Sequence, residues 1–232
     1  MQVSCICHAS FLHFYCLSFR IINNSIKKMK KITFIAIVGC IMSAISLTSC
    51  NSDSESSYKD LTAAEIQQCF NATRGNHNGK MIYAALNKAN VADKFDTISI
   101  AWSIINDSTM TIYDFPAKAL AEKITGADDL KEALASQPDR TLKCAISYVN
   151  ANPIQFLVGP NNLTYELNYG GKNHKVEIRF YWNTYSFGQY SSSSKHPMQM
   201  QIWAALLKLD GNETSYGITI DKPAQFFFYT EK

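Results

Sequence analysis

Three residue types in this 232-residue chain carry the spacing questions that decide whether it does chemistry: histidine, serine and paired carboxylates. His77, His174 and His196 never occur as H-x-H or H-E-x-x-H, the spacings that put two imidazoles on one metal ion. Each falls in an expected loop or strand end and reads as an exposed turn residue, so no metal site is assigned. Ser191–Ser194 lie outside any G-x-S-x-G and have no acid or base arranged beside them, which reads as a mobile loop. Glu166 and Glu177 fall on the two arms of an expected hairpin, on the faces opposite the apolar ones. Two carboxylates approaching across strands is what a glycosidase needs. Lys175 and Arg179 alternate on the same arm, so a charge-balanced solvated face is the plainer reading. No catalytic residue and no cofactor is assigned. A glycan hydrolase, with residues converging only in space, stays as an alternative.

Binding is better represented than catalysis. "RFYWNTYSFGQY" places Tyr181, Trp182, Tyr185, Phe187 and Tyr190 at a strand end and in the loop after it. Exposed aromatic rings beside polar groups suit ligand or partner binding. The competing reading makes Phe180 and Trp182 core and lets the tyrosines shield the strand ends. Two cysteines, Cys69 and Cys144, sit in apolar surroundings. They form either a disulfide, if the domain is exported, or a pair of small buried residues. The chain has no C-x-x-C.

The elements that must position these groups are mostly strands. "DLTAAEIQQCF" opens with a capping box, Thr62 to Glu65, and predicts a short helix over about 63–70. "ATRGNHNGK" breaks it before a first strand near 80–86. Ile98, Ile100, Trp102 and Ile104 then alternate with polar or small residues, and Asn106-Asp107 suggests a tight hairpin into "TMTIYDF". "PAKALAEKI" and "ADDLKEALAS" have helical character. "TLKCAISYV" and "IQFLV" read as strands, and "LTYELNY", "GGKN" and "HKVEIRFYW" as the clearest hairpin. Its apolar faces are Leu163, Tyr165, Leu167, Tyr169 and Val176, Ile178, Phe180, Trp182. "SFGQYSSSSKHP" is expected as a flexible loop, and "MQMQIWAALLKL", "TSYGITI" and "AQFFFYT" as the last strands. The expected class is α+β, mainly β: an antiparallel sheet of eight to ten strands, as a sandwich or open barrel, with an N-terminal helix and one or two short inserted helices.

The N-terminus bears on location. Lys30 and Lys31 precede the apolar run Ile32 to Leu47, which would make a helix of about 24 Å against roughly 30 Å for a bilayer core. A basic n-region, an apolar h-region and small residues at its end make a secretory signal. Leu47-Thr48-Ser49-Cys50 then resembles the lipobox of bacterial lipoproteins. The resemblance implies cleavage before Cys50, lipidation of its thiol and anchoring by several acyl chains. The expected organisation is a leader over residues 1–28 that is not translated, a signal peptide over 29–49, a lipidated tether over 50–60 and one β-rich domain over 61–232. Removing residues 1–49 changes the formal charge from +3 to −2, since five of the 22 basic residues and none of the 19 acidic ones precede Cys50. A nearly neutral domain gives no electrostatic case for nucleic acid.

"NSDSESSYKD" resembles the acidic stretch that sends lipoproteins of Bacteroidales-type bacteria to the cell surface, and reads equally as a solvated linker. Asp96-Thr97-Ile98 and Asp107-Ser108-Thr109 resemble the O-glycosylation motif of exported proteins in that group, with Thr97 and Ser108 as implied acceptors. The outline as a whole resembles their uncharacterised lipoprotein families. It implies a lipid-anchored outer-membrane protein, periplasmic or surface-exposed, and no mechanism. The first expectation for its role is a non-enzymatic binding or interaction module, for a glycan or another envelope protein. A lipocalin-like carrier of an apolar ligand is the other alternative, and it needs a hollow barrel.

Overall fold

A computed structural model describes residues 60–85, 95–182 and 185–231. Cys50, the expected signal and the expected tether up to residue 59 lie outside the described residues. No described helix is long and apolar enough to cross a membrane.

The first helix, α1 (Ala63–Thr73), forms where its capping box predicts. Thr62 Oγ1 accepts the Glu65 amide at 3.3 Å, and the Glu65 carboxylate accepts the Thr62 amide at 2.8 Å. The chain then enters β1 (Gly75–Ala84), β2 (Phe95–Asn106) and β3 (Thr109–Phe115). Two short helices follow, α2 (Ala117–Ala121) and α3 (Asp128–Ala135). The rest is β4 (Arg140–Ala151), β5 (Ile154–Pro160), β6 (Leu163–Tyr169), β7 (Lys172–Phe180), β8 (Phe187–Tyr190), β9 (Met198–Leu209), β10 (Asn212–Glu213) and β11 (Ala224–Thr230). The class is as expected: mainly β, antiparallel, with an N-terminal helix and two inserted ones.

The sheet closes. Strands run β11-β1-β2-β3-β4-β5-β8-β9, and β9 pairs back onto β11 with Ala224 opposite Ala204 and Phe228 opposite Met200. Eight strands enclose a space that side chains fill. Trp102, Met110, Ile112, Leu142, Phe156, Met200 and Phe228 are buried there. Trp102 meets Phe228 edge-on at 6.2 Å, and its Nε1 donates to Met198 Sδ at 3.2 Å. This packed interior works against the carrier alternative. At one end of β4, α1 is tied on by the hydroxyls of Thr73 and Tyr148, both buried. At the other end, α2 and α3 bury Leu120, Leu130 and Leu134 in the same core, and α3 packs on β6.

Three segments depart from expectation. Residues 75–79 belong to β1, which is paired with β2 along its length. Its glycines mislead, because Gly79 marks a close approach: a Cβ there would stand 2.0 Å from the Tyr229 carbonyl oxygen. "FGQY" is strand β8 and not loop. Gly188 leaves room for the Phe156 ring, which a Cβ would approach to 2.3 Å. "TSYGITI" forms only the isolated bridge Thr219–Lys222, although Ile218 is buried and its carbonyl accepts the Leu207 amide.

Cys69 and Cys144 are free buried thiols and not a disulfide. Their sulfurs point at different carbonyls, Asn150 for Cys69 and Leu142 for Cys144. Burial raises both thiols above their ordinary pKa.

Candidate functional site

The hairpin β6–β7 turns at Gly170-Gly171, both in the left-handed region that a two-residue hairpin turn requires. β5 and β6 run in the same direction, as do β7 and β8, so residues 154–190 form one long hairpin that changes partners halfway. Its register shows where. Leu163 faces Ile178, and Leu157 faces Phe187. Five residues of the outgoing arm lie between those pairs, against eight of the returning arm. The returning arm therefore has three residues more than the outgoing one, between β7 and β8. The same excess stands against β9, where Arg179 faces Leu206 and Phe187 faces Gln201.

That bulge carries the aromatic run, and its ends are pinned. The Tyr181 amide donates to the Trp203 carbonyl at 2.9 Å. Ser186 is fully buried: its Oγ accepts the Trp203 amide at 3.1 Å and its carbonyl accepts the Val158 amide at 2.8 Å. Gln201 Nε2 donates to the Tyr185 carbonyl at 2.9 Å. A bulge interrupts the ladder locally and re-aims the side chains it carries.

The aromatic residues then divide. Tyr181 and Tyr185 lie 5.2 Å apart, and Tyr185 stacks on Trp203 at 4.9 Å. Trp182 is 68% exposed and its ring lies against Gly159 of β5. The Tyr181 hydroxyl donates to the Ile220 carbonyl at 3.3 Å, which brings exposed Ile220 to the rim. Phe187 and Tyr190 do not join: Phe187 is buried, and Tyr190 packs against the core. Trp203 was missed by sequence reasoning, because in "MQMQIWAALLKL" it reads as one more strand residue. Its Nε1 is buried without an acceptor among the described residues.

The other candidates are scattered. His77 lies within β1, stacks on Trp102 at 5.8 Å and donates from Nε2 to the Thr73 carbonyl at 2.8 Å. Burial lowers its pKa, and the hydrogen bond offsets part of that. His174 pairs with Asp210 at 2.8 Å and stacks on Tyr169. His196 Nδ1 donates to the Thr230 carbonyl at 2.8 Å. Among the described residues no group of three potential ligands is close enough to hold a metal. Glu166 faces Lys175, and Glu177 faces Thr164. Arg179 and Asn162 bond Glu177, and Arg179 above all lowers its pKa. That is opposite to what an acid catalyst needs. Ser191 and Ser193 hydroxyls bond each other. Thr97, on β2, and Ser108, in the β2–β3 turn, are both exposed, and Ser108 Oγ donates to Asn106 Oδ1 at 3.0 Å.

No curated protein and no solved structure matches the chain. Residues 72–209, more than half of it, match the family described as Domain of unknown function (DUF4840), and the chain belongs to that family.

Proposed function

We propose that the protein is a lipid-anchored lipoprotein of the bacterial outer membrane that works as a non-enzymatic binding module, with the β7–β8 bulge as its binding face and a glycan as its ligand. The single observation behind the binding face is the three-residue excess that presents Trp182, Tyr181 and Tyr185 beside Trp203 while Ser186 and Gln201 hold the bulge in place. Sugar rings offer C–H faces that stack on indole and phenol rings, and hydroxyl edges that take polar partners. The Tyr181 hydroxyl, which donates to the Ile220 carbonyl and can still accept, supplies such a partner at this face. The lipobox at Cys50 supports the anchor, and the "MKK" start and serine-rich acidic tether support an envelope of the Bacteroidales type. A hydrolytic role has no comparable support, since Glu166 faces Lys175, Glu177 faces Thr164, and Asn162 and Arg179 bond Glu177.

The test is affinity electrophoresis of the purified protein through gels containing soluble polysaccharides. Retardation by at least one polysaccharide, lost in Trp182→Ala and Tyr185→Ala, is the expected result. Equal mobility of wild type and both variants in every gel would overturn the glycan assignment.

A further inference from the structure

On the wall opposite the bulge, β1, β2 and β3 frame a groove of about 380 Å³. From β2 the ring runs through β3, β4 and β5 to β8 one way, and through β1, β11 and β9 the other. Asn78 and Gly79 line the groove from β1, Ser99 from β2, Tyr113 and Asp114 from β3, and Glu231 from beyond β11. The volume falls within the usual range of small-molecule sites, roughly 300–1,000 Å³.

The backbone at Asp114 is unusual. Ile112 faces Leu142 and Phe115 faces Arg140, so Tyr113 and Asp114 together oppose Thr141 alone. Asp114 has φ of 50°, in the left-handed region. Glycine suits that position of a bulge best, because a side chain there is strained. Keeping a strained aspartate at the edge of a groove points to a role for its carboxylate. The neighbouring ring is fixed as well: the Tyr113 hydroxyl meets buried Ser103 Oγ at 2.8 Å, while the ring stays 39% exposed. Lys80 Nζ donates to Ser99 Oγ at 3.0 Å and lies 3.6 Å from Glu231.

Acceptors (Asp114, Glu231) and two groups that both donate and accept (Asn78, Ser99) therefore line the groove together with the Tyr113 ring, and Lys80 is held against Ser99 and Glu231. Such a mixed row matches hydroxyl groups better than it matches an ion of either sign. We propose that this groove is a second binding site, independent of the aromatic bulge, for a neutral polyhydroxylated ligand of oligosaccharide type. Asp114 accepts its hydroxyls and Tyr113 stacks on its ring.

The experiment titrates the full chain, in a detergent without sugar headgroups, with maltose, cellobiose and N,N′-diacetylchitobiose, and with spermidine as a charge control. Saturation-transfer NMR and calorimetry read the binding. At least one disaccharide still binds Trp182→Ala, and in that background Asp114→Gly weakens the binding by about ten-fold or more while Tm stays equal or rises. Asp114→Asn, which tolerates the same φ, repeats the loss without depending on glycine. Four results would each overturn the proposal: no disaccharide binds; the Asp114 variants bind as wild type does; spermidine alone binds in an Asp114-dependent way; or binding depends on Trp182 and not on Asp114.

Discussion

The indole of Trp182 rests on the backbone of Gly159, where a Cβ would stand 2.6 Å from Cδ1 and 2.7 Å from Nε1. The pair joins the aromatic bulge to the neighbouring strand β5, because only a residue without a side chain lets the ring lie there. Gly159→Ala should therefore push Trp182 outward. The ring is mostly in solvent already, so the fold should lose no more than about 1 kcal/mol. Ligand retention should fall as far as it does in Trp182→Ala. Urea denaturation beside affinity electrophoresis separates the two effects, and retention at the wild-type level would show that the position of the ring is irrelevant.

Helix α1 is fixed to the barrel by the hydroxyl pair of Thr73 and Tyr148. Tyr148→Phe removes one partner and leaves Thr73 Oγ1 donating to the Cys69 carbonyl at 2.9 Å. The expected cost is about 1 kcal/mol, one buried hydrogen bond. It should appear as a lower urea midpoint with an unchanged slope. An unchanged midpoint would mean that the pair contributes nothing net.

His77 gives the fold an acid sensitivity. Burial holds its pKa below the ordinary 6.5, so the folded protein resists a proton that the unfolded chain takes up. Stability should then be full above the unfolded value and decline as pH falls through about 6.5 toward the folded value. His77→Gln keeps a donor for the Thr73 carbonyl and removes the titration, so its Tm should fall less between about pH 8 and about pH 5. Parallel Tm curves for the two proteins would exclude His77 as the source.

Cys50 gives the most direct cellular prediction. Cys50→Ser removes the lipid acceptor that the proposed anchor requires, and the protein should move from the membrane fraction to the soluble one. Incorporation of labelled palmitate should be lost with it. Membrane retention and labelling of Cys50→Ser at the wild-type level would rule out this anchor.

Local rules accounted for much of the fold. The capping box at Thr62 and Glu65, the alternation in β2, the Gly170-Gly171 turn and the two helices after Pro116 are each decided within a few residues. Glycines were where local reading failed. Gly79 and Gly188 looked like breakers, yet they sit inside strands to make room for Tyr229 and Phe156, which are far away in the chain. Phe187 was expected among exposed rings for the same reason: a segment taken as loop is a barrel strand.

The sequence by itself determined the strand-rich class, the likeness to exported lipoproteins, and a cluster of rings around 181–190, because composition, period and short motifs are properties of neighbouring residues. Tertiary structure alone decided that β9 pairs with β11 and closes the barrel. It alone decided which rings share a face, because a three-residue excess exists only relative to the partner strands. It also joined Trp203 to Tyr185, and Asp114 to Ser99 and Glu231, since cross-strand register sets those neighbours and leaves no mark in local order.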